Sequence, residues 1–347
     1  MKYLIHLSLP IRNGINGDNL RGEPRCERNI LSALLASGQD VYLSDYPIQL
    51  WQSDNKPANL YNFSELADIK NTTYICHTAP TDTLIFRKAE NYILQSFNPH
   101  NQNVIDEINS LIKTSNNRVL ITTSFTNNLS FFEKTYTPNN VCMIEGPAAP
   151  NIPPRDKNFQ PSYLLWAYRN FYHYATSQPD QLIQLFNLCK KYLKQNPILK
   201  IAIVVGAYHL NQDINDWFWQ LKATQCLKDI ANRIEIYCNI SWDKMMQLNY
   251  NTKVIISPAE AAGGPAFEAA INSIPVILTT PRPFDFPGII TAPPGLNPQF
   301  FHHLEKLLDN LSLYEYSGKM YYDYVKLRAS FEAWTNRINQ EIKKRNW

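Results

Sequence analysis

The sequence predicts an α/β protein of two domains, each built on a parallel sheet, on three observations. Short apolar runs rich in β-formers alternate with segments of helical periodicity along nearly the whole chain, the pattern of strands joined by crossover helices. The alternation breaks once, in a stretch with Pro147, Pro150, Pro153, Pro154, Arg155, Asp156 and Lys157, and then restarts. That stretch has the composition of a domain linker. Finally, 347 residues at roughly 100–200 per domain make about two domains.

In order, Tyr3–Leu9 reads as a first core strand, followed by a polar loop with Gly14, Gly17 and Gly22. Pro24 suits the first turn of a helix that runs to Ser37, with Ile30, Leu31, Leu34 and Leu35 at helical spacing and Gly38 as its C-cap. Strands follow at Val41–Leu43, Thr73–His77, Tyr92–Phe97, Val119–Thr123 and Val141–Ile144, with a helix over Asn103–Lys113. Beyond the linker the pattern predicts strands Tyr163–Ala167, Lys200–Val205, Arg233–Cys238, Lys253–Ile256 and Pro275–Leu278. Helices are expected at Asp180–Gln195, Asp213–Thr224, Trp242–Leu248 and from Pro265 to Asn272, then through a long C-terminal region. Two such domains, 1–157 and 158–330, would face each other across a cleft, where ligands bind at the carboxyl ends of strands.

Composition excludes several classes. Hydrophobic residues make 44% and charged residues 18% of the chain, which argues against disorder and against a coiled coil. A formal net charge of +3 gives no ground for a nucleic-acid protein. No run reaches the ~18 apolar residues of a membrane span, and the N-terminus lacks the pattern of a secretory leader. The six cysteines are dispersed without metal-ligand spacing and read as reduced core residues, so a cytoplasmic protein is expected. The basic end Lys343-Lys344-Arg345 suits a helix C-terminus, with peripheral contact to anionic lipid as the alternative.

The segment that carries chemistry runs from Ile256 to Ala269. A buried strand ends, Gly263 and Gly264 turn the chain, and Pro265 and Ala266 open a helix whose free amides and dipole favour a phosphate. Glu260 on the incoming loop is placed to accept hydrogen bonds from sugar hydroxyls, and Glu268, in the helix, from a ribose. These features together point to a sugar nucleotide.

Glu260 and Glu268, with Gly263, Pro265, Ala269, Pro275, Val276 and Ile277, resemble the E-x7-E signature of family 4 glycosyltransferases, E-G-F-G-L-P-x-L-E-A-M-A-x-G-x-P-V-I. Ala261 and Ala262 stand in place of Gly-Phe, Gly264 in place of Leu, and Ser273 in place of the later Gly. The resemblance extends over 160–330, with Arg169 at the family's donor-phosphate arginine and Ile234–Asn239 at the strand that lines the nucleobase. Glu27-Arg28 and Ala36–Leu43 echo the family's first helix and second strand.

The resemblance implies a GT-B fold of two Rossmann-like domains, the C-terminal helix 331–347 packing back on the first. It also implies a retaining, metal-independent transfer in carbohydrate biosynthesis. Glu260 and Arg169 would be catalytic, and Gly263, Gly264, Pro265, Ala266, Glu268 and Asn239 would bind the donor. His77, His100 and Gly17, in N-terminal loops, are the acceptor-side candidates. No cofactor is implied beyond the nucleotide-sugar co-substrate; the acceptor is a glycan, a lipid-linked group or a protein. Tyr174, beside His173, stands where the family has a lysine of the diphosphate clamp. A degenerate nucleotide-binding protein and a sugar-nucleotide epimerase of the same fold are therefore the alternative readings.

Overall fold

A computed structural model describes residues 1–7, 23–43, 56–76, 88–95, 102–116, 118–123, 126–147, 155–156, 158–166, 178–205, 228–238, 240–257, 269, 272–279 and 287–347. The chain divides into two compact units, Met1–Asn151 with Lys326–Trp347, and Ile152–Val325.

The first unit holds seven strands: β1 Lys2–Ile5, β2 Asp40–Leu43, β3 Leu60–Asn62, β4 Thr73–Cys76, β5 Asn91–Gln95, β6 Val119–Thr123 and β7 Val141–Met143. They form one sheet in the order β3-β2-β1-β4-β5-β6-β7, and every pair in it is parallel. A parallel sheet is stable when both faces are covered, and side chains alternate along each strand to do this. Tyr3 and Ile5 of β1 pack with Ile30, Leu31 and Leu34 of α1 (Glu23–Ala36). Leu4 points the other way, into a core with Ile108 and Leu111 of α2 (Gln102–Thr114) and Phe132 of α3 (Thr126–Thr135). Gly38 ends α1 at φ +71, with the Gln39 amide donating to the Leu34 carbonyl at 3.0 Å, a left-handed cap that glycine adopts without strain.

The second unit holds β8 Tyr163–Trp166, β9 Lys200–Val205, β10 Ile234–Cys238, β11 Thr252–Ser257, β12 Val276–Thr279 and β13 Ile289–Ala292. Their order is β10-β9-β8-β11-β12-β13, again all parallel. One face is covered by α4 (Pro179–Gln195), through Leu182, Leu185 and Phe186, and by α6 (Pro298–Asp309), through Phe300, Leu304 and Leu307. Helix α5 (Trp242–Tyr250) joins β10 to β11 and is capped by Ser241. Arg155 fastens the start of this unit: its guanidinium donates to the carbonyls of Tyr250 at 2.8 Å and Thr252 at 2.7 Å, and to the Tyr314 hydroxyl at 2.7 Å.

The C-terminal region is three helices: α6, α7 (Leu311–Arg328) and α8 (Phe331–Lys344). Trp334, Ile338 and Ile342 of α8 complete the α1 face of the first sheet. Arg345 is held by Glu341 and by the Asn139 carbonyl, so that charge is engaged inside the first unit. No described helix is long and apolar enough to cross a membrane.

Several elements differ from expectation. Strand β1 stops at Ile5, where its pairing with Leu43 and Ile75 ends, although Leu7 is buried. The last strand of the first unit stops at Met143. Strand β3 and helix α3 were not expected. The helix expected at Asp213–Thr224 lies outside the described residues.

Candidate active site

Both sheets reverse their strand order once, between β1 and β4 in the first unit and between β8 and β11 in the second. In open α/β sheets, ligands bind beyond the carboxyl ends of the two strands at such a switch. The chain leaves β8 at Trp166 and β11 at Ser257, and the two strands are direct neighbours with Trp166 opposite Ile256. On the other side of β11, Ser257 lies opposite Leu278 of β12. Ser257 and Thr279, at the carboxyl ends of their strands, are 4% and 1% exposed.

Arg169, with His173 and Tyr174, belongs to the segment after β8; Asn239 follows β10; Glu260, Gly263, Gly264, Pro265, Ala266 and Glu268 belong to the segment after β11. All of these lie outside the described residues, as do Gly17, His77 and His100 in the first unit. What is described is the return from the β11 segment. Ala269 is helical and fully buried. Ser273 has φ +54, and the Ile274 amide reaches back to the Ala269 carbonyl at 3.2 Å. That bond closes a left-handed helix cap which delivers the chain into β12. Ser273 is the residue that stands where the resembled signature has glycine, and its backbone adopts the conformation glycine favours.

Polar side chains gather at the same edge of the first sheet. Gln95 ends β5 at 3% exposure, Thr122 and Thr123 end β6 at 1%, and Glu145 follows β7 with none. The Gln95 amide packs against the backbone of Gly146. Glu145 is ion-paired with Arg337 of α8 and, at 3.1 Å, with Arg328 at the end of α7. Helix α1 buries Glu27, Arg28 and Asn29, and Arg28 donates to the Asn29 side chain at 2.8 Å. Sequence reasoning singled out Glu27 and Arg28 but missed Gln95 and Glu145; a polar residue directly after an apolar strand was the available signal.

A separate ionisable cluster sits toward the opposite end of the second sheet, where Tyr163 and Lys200 begin β8 and β9. Glu235 of β10 accepts from Lys200 at 2.6 Å and from the Tyr163 hydroxyl at 3.0 Å, and it also accepts from Tyr237. Burial pushes its carboxyl up, but these three hydrogen bonds outweigh it and hold the group below the usual range. Burial raises the thiols of Cys142 and Cys189 to about 12, which favours the protonated form. No group of three or more His, Cys, Asp or Glu among the described residues is arranged to hold a metal ion.

No protein-family model matches the chain, and no curated protein matches it by sequence. Solved structures do match its fold. HepE of Anabaena in complex with UDP-glucose superposes with a TM-score of 0.62 at 10% identity, covering 99% of this chain and 100% of that one. Sucrose-phosphate synthase from Thermosynechococcus elongatus gives 0.62 at 11% identity, covering 99% of each chain. WaaG, a glycosyltransferase involved in lipopolysaccharide biosynthesis, gives 0.55 at 12% identity, covering 98% and 99%. At such identities the likeness is one of fold: two α/β units on parallel sheets, as in the GT-B glycosyltransferases.

Proposed function

We propose that this chain is a retaining glycosyltransferase that takes its sugar from a nucleotide-sugar donor without a metal ion. The observation that carries the reading is the pairing of β8 with β11 at the strand-order switch of the second sheet. Arg169 is three residues beyond Trp166 and Glu260 three beyond Ser257. At about 3.5 Å per residue, chain length keeps each Cα within about 11 Å of its strand end, and the strands are neighbours about 4.8 Å apart. Those lengths are compatible with one diphosphate-sugar meeting both.

In this reading Arg169 and the amides of Gly263, Gly264 and Ala266 stabilise the charge that develops on the departing nucleoside diphosphate, the step where fixed donors act most strongly. Glu260 holds the donor sugar, Glu268 the ribose, and Asn239 lies beside the base. His77, His100 and Gly17 belong to the acceptor side. The UDP-glucose complex of HepE makes UDP-sugars the first donors to try. The test is release of nucleoside diphosphate from UDP-glucose, with Glu260→Ala as the control: turnover unchanged in that variant would contradict the assigned role.

One observation favours a second reading. Tyr174 stands where the resembled family has a cation on the diphosphate, and a protein without that charge binds the nucleotide with little transfer. Binding without diphosphate release selects it.

A further inference from the structure

We draw no further inference here: the strongest candidate, the solvent-facing stripe of helix α7 on which Tyr316 and Leu327 are 64% and 74% exposed, is flanked by charges of both signs at Glu315, Lys319, Asp323 and Lys326, and nothing in the structure shows what covers it.

Discussion

The guanidinium of Arg337, on the last helix, meets the carboxylate of Glu145, two residues past the last strand of the first sheet, where that carboxylate has no exposure to solvent. Arg337 also donates to the Met143 carbonyl at 2.6 Å, and Arg328 pairs with the same carboxylate at 3.1 Å. The pairing ties the exit of β7 to the junction of α7 and α8. Removing the buried carboxylate takes the charged acceptor from two guanidiniums that are 22% and 45% exposed and can turn to water, so the cost is about 1–3 kcal/mol. Glu145→Ala is therefore expected to lower the thermal midpoint by several degrees, with Glu145→Gln intermediate because it keeps part of the hydrogen bonding. A midpoint within one degree of wild type by calorimetry would contradict the assignment.

At Ser273 the prediction has the opposite sign. The residue pays for a left-handed backbone that glycine adopts freely, so Ser273→Gly is expected to stabilise the second unit by about 0.5–1 kcal/mol. Ser273→Val, β-branched at φ +54, is expected to destabilise it by about 1–3 kcal/mol. Urea unfolding of the pair checks both signs at once.

The Glu235 cluster predicts a pH dependence. Its carboxyl is held below the ordinary value of 4.5 by Lys200, Tyr237 and Tyr163 against the effect of burial. A depressed folded-state pKa gives stability that is present above the unfolded value and lost as pH falls through the folded one. Between pH 6 and pH 3 the wild type should therefore lose more stability than Glu235→Gln does. Parallel acid limbs for the two proteins would show that the cluster adds nothing.

Lys253 of β11 is pushed below its usual range by burial, partly offset by Asp309. Burying an ammonium without a close partner disfavours the folded state wherever the group is charged. Lys253→Met is expected to raise the melting temperature at pH 7 by a few degrees, and the gain should shrink at high pH as the wild-type amine loses its proton. A lower melting temperature would contradict this.

How far the fold can be read from the sequence depends on how local each signal is. The bounds of β6 coincide with the expected ones because all five of its residues are buried and paired, the two threonines included. At β1 they do not: Leu7 is buried without a partner in the sheet, and the apolar run overstates the strand. Strand β3 is three residues long, too short for any period to show. Helix α3 was legible in principle, since Leu129, Phe132 and Tyr136 recur at i, i+3 and i+7 and pack together. The Glu145 pairing was not, because Arg337 lies 192 residues further along the chain.

The candidate site was legible in a different way. Its residue types and spacing point to a sugar nucleotide, and the structure supplies the strand order that makes β8 and β11 neighbours at the switch. Ser273 links the two levels. Sequence presents it as a departure from a glycine, while the structure shows the backbone conformation that glycine would serve.

The central claim, a nucleotide-sugar site beyond β8 and β11, is tested most directly by calorimetric titration of the full chain with UDP and UDP-glucose, GDP and ADP in parallel, alongside the Glu268→Ala variant. The account predicts selective binding of one nucleoside diphosphate and its sugar conjugate, with affinity at least tenfold weaker in Glu268→Ala. Binding of none of them by a folded wild-type protein, or equal binding by wild type and variant, would contradict it.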